Sequence, residues 1–433
     1  MANLQSTTIA GGITEKSVVK LVDRSSTMFT DSTASNFTTS AILYPVIAFN
    51  PQTATHSNQF VIAYADADDG NKGKIEAGTV SGTTITWGAV TGIDLTEGQA
   101  DNIADITIAF DSKTTANRLV VAYRDVADSN YSKAVVMIVE NNLSITRGPV
   151  KTVASVHAQS PWIAFAPQTP GKFVISYWSA TSTPAVSICS INDSTNVITV
   201  GTPATSNPGT DSGIVFWDPN NVTKFVWAGR LTHVSNHLYA MVGQIASENT
   251  TTITWQASSR MVAADTYHIS GAFNPNVADQ FVLSYSSPFN STKLGKALVG
   301  TISGSTGLWT IGANPTEYTF NNASTEKTSI SFDPNTHIDS NKFVISYLDV
   351  ANSNRGTAIE GTLTDATIAY DSEQVFNTGL THLDTTGQNI AFDPNSYGKF
   401  VATYASGTAG NPDPNGSAIV GICLLYTSDA ADE

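Results

Sequence analysis

The sequence predicts an all-β chain: a seven-bladed β-propeller of four-stranded antiparallel blades, closed by its N-terminal strand. Three observations predict it. One motif recurs seven times along the 433 residues, the apolar residues come in runs too short for most helices, and Thr, Ser, Asn and Gly are abundant. No amphipathic helix interrupts the pattern.

The motif pairs two short apolar segments around a polar turn, as in "ISFDP" with "KFVISY" in the stretch 329–349. Its anchor aromatics are Phe49, Phe110, Phe165, Trp217, Phe273, Phe332 and Phe392, spaced 52 to 61 residues apart, and they number units 1 to 7. Each anchor shares one strand face with the residue two positions earlier. The residue between them, Ala48, Ala109, Ala164, Ala272, Ser331 or Ala391, faces the other side, where a small side chain suits a crowded position near a central axis. Asp or Asn follows the anchor in six of seven units, and Pro stands at the next position in six of seven; together they end the strand and start a hairpin.

Segments such as "GKIEAGTVSGTTITWG" (73–88) and "GTAIEGTLTDATIAYD" (356–371) supply a third and a fourth strand. Each unit is thus a four-stranded meander that cannot cover both its faces, so neighbours must stack. Seven units favour a closed ring, which shields the terminal sheets; an open solenoid or a tandem of β-sandwiches is the alternative. Unit 7 supplies only three strands, and "STTIAGGITEKSVVKLV" (6–22) resembles a fourth, so this segment is expected to close the ring.

A single propeller domain over residues 1–422 is therefore expected. The last eleven residues, "CLLYTSDAADE" (423–433), break the pattern and match an in-frame translation of a transposase-type sequencing adapter. They are read as a non-native tail on a metagenomic reading frame, with a natural chain that continues past Ile422.

Composition excludes several functions. A net charge of −15 with 21 scattered Lys and Arg opposes nucleic-acid binding, which needs clustered cations. No apolar run suits a membrane span, and the N-terminus lacks the basic start and apolar centre of a secretory signal. Two cysteines, Cys189 and Cys423, support neither a disulfide framework nor a Cys-based zinc site, and Cys189 in the alternating "AVSICSI" reads as a small buried hydrophobe.

In such a meander the turns joining strands one to two and three to four lie on one face, and here they repeat. The loops joining strands two to three lie on the other face and vary, which is where function on a rigid scaffold sits. Candidate ligand-binding residues on these loops are Asp66, Asp69, Arg124, Asp125, Tyr131, Trp178, Arg230, His233, Phe289, Asp349 and Arg355. Aromatic faces beside Asp and Asn suit sugar recognition, with CH faces on the ring and hydroxyls on the polar groups. The plainer reading of Asp66, Asp125 and Asp349 is that they cap the hairpins.

"DADDGN" (66–71) invites a calcium site at Asp66, Asp68 and Asp69, but Gly70 falls at the wrong position for an EF-hand and Ala77 stands where Glu is needed. His233 and His237 are four apart without a third ligand nearby and read as loop polarity. No nucleophile elbow, P-loop, dinucleotide fingerprint or H-E-x-x-H motif is present. No metal site, cofactor or catalytic residue is singled out. "SGTTITWG" (81–88) lacks the aspartate of the sialidase-type turn, and no carboxylate pair stands out for glycoside hydrolysis.

The units "NKFVISYLDVANSNRGTAIEGTL" (341–363) and "NRLVVAYRDVADSNYSKAVVMIV" (117–139) resemble repeats of tail-fibre or virion structural proteins of marine bacteriophages. Unit 4 departs most, with Trp217 for Phe and Gly229 for Tyr, which puts a site shared by every blade in doubt. The resemblance implies a non-enzymatic viral appendage, located in the virion, that recognises a host surface glycan or another virion protein. A bacterial lectin-like or adhesion propeller, soluble and without signal peptide, is the alternative, and a glycan hydrolase the third reading.

Overall fold

The computed structural model describes residues 27–423 apart from residues 31, 52–56, 94–101, 114–115, 180–182, 206–209, 233–234, 248–249, 290–291, 336–340, 383–388 and 409–410. The described chain is all-β, with strands in four antiparallel sheets and no α-helix, and so no helix that could cross a membrane. Seven units of the expected order are present. In unit 1, Ser35–Phe49 pairs with Gln59–Asp66, which pairs with Lys72–Ser81, which pairs in turn with Thr84–Trp87 and Thr91–Gly92.

Seven units merge into four sheets because three long strands each serve two units. Ile145–Phe165 pairs through residues 145–157 with the third strand of unit 2 and through residues 158–165 with the second strand of unit 3. Glu317–Phe332 joins units 5 and 6 in the same way. Ser35–Phe49 does so between units 7 and 1: Ser35–Ala41 pairs with Asn415–Ala418, and Ile42–Phe49 with the second strand of unit 1.

The strand beside the third strand of unit 7 is therefore 35–41. The segment expected there, residues 6–22, lies outside the described residues. Side chains explain the choice. Phe37 stands twelve residues before the anchor Phe49, as Phe320 stands twelve before Phe332. Phe320 packs on Tyr347 at 5.2 Å and Phe376 on Tyr404 at 5.2 Å, each from the fourth strand of one unit onto the next unit. Phe37 packs on Tyr64 at 5.1 Å in the same manner.

The inner strands, those that end at the anchors, contact one another in the order of the units, and that of unit 7 contacts that of unit 1. Apolar clusters likewise join units 1 and 2, 2 and 3, 3 to 5, 5 and 6, 6 and 7, and 7 and 1. Burying a large apolar side chain contributes about 1.5–3 kcal/mol, so these seams between units are a main source of stability. A cavity of about 410 Å³ lies where the inner strands of six units converge. It is lined by anchors such as Phe49 and Phe392 and by the small residues Ala48, Ala109, Ala164, Ser331 and Ala391, as the spacing predicts.

In four units the turn residue after the anchor has a partner matched in kind at the start of the second strand. Asn50 donates to Gln59 at 2.8 Å and Asn274 to Gln280 at 2.9 Å, amide to amide. Asp111 pairs with Arg118 at 2.9 Å and Asp218 with Lys224 at 3.1 Å, charge to charge, all buried. The second-strand residue then reaches the next unit. Gln59 donates to the Glu140 carbonyl, Arg118 to Asp193, Lys172 to the Thr250 carbonyl, Lys224 to Asp279, and Gln280 to the Asp365 carbonyl. Between units 6 and 7 the Gly398 amide donates to Asp333, and between 7 and 1 Ser396 bonds Asn58. Burial of these ions is tolerated because each is paired and hydrogen-bonded.

Cys189 is fully buried, as expected, and burial pushes its thiol up. Cys423, assigned from sequence to the non-native tail, is also buried, and its amide donates to the Gly398 carbonyl at 2.7 Å.

Candidate functional site

The loops between second and third strands and the crossovers from unit to unit lie at one face. Three hairpins there are built alike. Asp66, Asp125 and Asp349 accept the amide three residues ahead, from Asp69 at 3.2 Å, Asp128 at 2.9 Å and Asn352 at 3.2 Å, so each aspartate closes its own loop. The loops then end in paired left-handed residues, Gly70–Asn71, Ser129–Asn130 and Ser353–Asn354, small or amide side chains that suit that backbone.

Several candidate residues are held by protein partners. Asp125 is buried and pairs with Lys133 at 2.6 Å. Asp69 bonds Lys72 at 2.7 Å and Lys74 at 2.9 Å, and these hydrogen bonds hold its carboxyl down to about 2. Asp68 accepts the Ala41 amide at 2.9 Å, so the "DADDGN" carboxylates point to different partners. Among the described residues no group of three or more His, Cys, Asp or Glu side chains converges as metal ligands would. Arg355 is half-buried, with its Nε unpartnered, and Asp349 is buried. His233 lies outside the described residues, as does the side chain of Phe289, whose backbone ends a strand opposite Thr292.

The crossovers share a kink. Five residues before the anchor the chain turns left-handed at Tyr44, Asp105, Ser160, His268 and Lys327, with φ between 48° and 55°. Each kink sits in a break of register against the second strand, a bulge that swings the chain from one unit into the next. These inner-strand starts stand side by side. The Ser160 amide donates to Asp105 at 3.2 Å, and Thr328 donates to the His268 carbonyl.

Two clusters of side chains build up around them. At units 2 and 3, Arg124 donates to Asp105 at 2.7 Å and to Asn130 at 3.0 Å, tying crossover to hairpin. Beside it Tyr131 stands opposite His157 in the strand register and Trp178 opposite Gln159. The His157 and Trp178 rings meet edge-on at 6.4 Å, and Gln159 bonds His157 Nε2 at 2.9 Å. All four of these side chains are half-buried, so a partly open aromatic surface lies beside a fixed polar rim.

At units 4 to 6, Arg230 and Lys293 lie 5.1 and 5.0 Å from the ring of Tyr267, whose hydroxyl donates to Asp265 at 2.6 Å. Lys293 pairs with Glu326 at 2.9 Å. Burial, then the charges of Lys327, Lys293 and Arg230, push the His268 imidazole down to about 4, so it is neutral at pH 7.

Of the sequence candidates, the structure brings Arg124, Tyr131 and Trp178 together and places Arg230 in the second cluster. His157, Tyr267, His268, Lys293 and Lys327 were missed. Lys293 stands in the hairpin between the second and third strands of unit 5, whereas the other four sit on or beside crossovers. Aligning the position five before each anchor is the signal that finds His268 and Lys327.

No family model matches the chain, and no curated protein does. Solved structures similar to it include a protein of unknown function from Dyadobacter fermentans, 12% identical with a TM-score of 0.48, covering 76% of this chain and 96% of that one. The α-L-arabinofuranosidase Arb93A from Fusarium graminearum, in complex with an iminosugar inhibitor, is 10% identical with a TM-score of 0.47, covering 73% and 92%. Sqt1 from Chaetomium thermophilum is 12% identical with a TM-score of 0.46, covering 90% and 100%.

Proposed function

We propose that the chain is a seven-bladed β-propeller, closed by Ser35–Ala41, that acts without catalysis and offers its crossover face to a host surface glycan, as a tail-fibre-like appendage of a virion. The cyclic order of inner-strand contacts supports the ring. The appendage role rests on the resemblance of the repeats.

One observation carries the binding role. The crossover face has a constant backbone and non-repeating side chains, while the opposite face repeats its turns. Five different side chains occupy a left-handed position that glycine would take at no steric cost, although each costs about 1 kcal/mol there. Left-handed non-glycine residues also occur in the turns of the opposite face, at Asn58, Asn117, Leu143 and Asp279, but at the kink the same backbone position displays a different side chain in each of five units. The aromatic and amide groups of Tyr131, His157, Gln159 and Trp178 suit a sugar ring and its hydroxyls. Carboxylates at that face are engaged, Asp105 with Arg124, Asp125 with Lys133 and Glu326 with Lys293, which supports binding over hydrolysis.

A glycan array tests this reading. Trp178→Ala and Tyr131→Ala should each weaken binding of the recognised glycan about tenfold, about 1.4 kcal/mol, without unfolding the chain. Unchanged binding in both variants, or no glycan bound by the parent, would overturn the site. Turnover of a polysaccharide would overturn the non-enzymatic role.

A further inference from the structure

We propose that the cationic cluster where units 4, 5 and 6 meet binds a carboxylate-bearing sugar, a uronic or sialic acid residue of an acidic glycan. The inference rests on the crossover face being the binding face and names the class of ligand it takes.

Charge is the first argument. The chain carries −15 overall, yet Arg230, Lys293 and Lys327, three of its 21 Lys and Arg, all act on the one imidazole of His268. The carboxylates nearby do not cancel them. Among the described residues, Asp265, which accepts from the Tyr267 hydroxyl, and Glu326, paired with Lys293, set two negative charges against three positive ones, which leaves a net positive charge beside a neutral histidine. Lys327 forms no ion pair among the described residues and is half-buried. A partly buried cation attracts an anion more strongly than one fully in water, since the field there is less screened.

Backbone is the second. Lys327 holds φ at 55°, a conformation that disfavours lysine and suits glycine. Glycine stands at the corresponding position of unit 7, Gly387. The kink therefore does not require a long cationic side chain, and its presence at the edge of the axis is what a ligand would explain. Arg230 and Lys293 are held against the Tyr267 ring, which presents them in fixed positions. The uncharged His268 beside them offers hydrogen bonding to a hydroxyl, as a sugar acid needs and a simple anion does not.

The same lysine supplies the test. Lys327→Gly removes the ammonium and relieves the backbone, so the variant should melt no lower than the parent. The probes are oligogalacturonate and sialyllactose, their carboxyl-reduced counterparts, and inorganic phosphate, titrated by calorimetry at two salt concentrations. The parent should bind at least one acid about tenfold more tightly than its reduced form, more weakly at high salt, and Lys327→Gly should lose most of that preference, a change of about 1.4 kcal/mol. Failure of every acid to bind, equal affinity for acid and reduced form, or unchanged affinity in Lys327→Gly overturns the proposal. Phosphate binding as tightly as the acids overturns its sugar class. Trp178→Ala separates the two readings. If it has no effect while Lys327→Gly abolishes acid preference, the aromatic site fails and the cationic site stands.

Discussion

Glu76 shows how far a single residue departs from the pattern around it. It sits in the third strand of unit 1, 3% exposed, with Oε2 lacking a hydrogen-bond partner, and burial pushes its carboxyl up to about 7. The folded chain thus holds this proton more tightly than the unfolded chain does. Its contribution is most favourable below about pH 4.5 and is lost as pH rises through about 7. His268 acts in the opposite sense between about pH 4 and 6.5, because its neutral form is the one favoured in the folded state. The difference between parent and Glu76→Gln isolates the carboxyl. Thermal melts should show little difference at pH 4 and a variant a few degrees more stable at pH 8, with roughly 3 kcal/mol at stake. Equal melting at pH 8 would show that the carboxylate finds a partner when charged.

Individual strands are matched to one another by volume. A phenylalanine near the start of the second strand faces glycine on the third in five units: Phe60 and Gly78, Phe225 and Gly243, Phe281 and Gly300, Phe343 and Gly361, Phe400 and Gly421. The ring lies over the glycine, and a Cβ at Gly361 would stand 2.3 Å from Phe343. Unit 2 has the smaller Leu119 and carries Met137 opposite it. Gly361→Ala should therefore cost about 1–3 kcal/mol in chemical denaturation, and adding Phe343→Leu should recover part of it. Additive losses in the double variant would contradict the steric account.

These inner hairpins were legible in the sequence because most units meet the same steric need with the same residues. "KFV" or a close variant opens the second strand and Asp or Asn follows the anchor in six of seven units, whereas the glycine facing the phenylalanine emerges only from the register, with Cys189 opposite Phe173 in unit 3. Crossovers were not legible. The bulge shifts the alternation by one residue, and Tyr44, Asp105, Ser160, His268 and Lys327 share a backbone angle without sharing chemistry. A closing strand was expected from "TTIAGG" near the N-terminus, whereas Phe37, spaced from its anchor as Phe320 is from Phe332, carries the better signal.

For the whole molecule, the seam between units 7 and 1 decides whether the repeats make a ring or a line. Asn36 and Ser417 are register partners across that seam, and Ser417 Oγ donates to Asn36 Oδ1 at 2.8 Å. In a linear array these residues would lie at opposite ends of the chain. Everything proposed about a shared face of converging inner strands depends on that closure. The direct measurement is to replace both residues with cysteine and follow thiol content and non-reducing gel mobility under mild oxidation. A closed ring predicts rapid, intramolecular loss of both introduced thiols and a higher melting temperature. Two thiols that stay free, or that cross-link only between molecules, would contradict it.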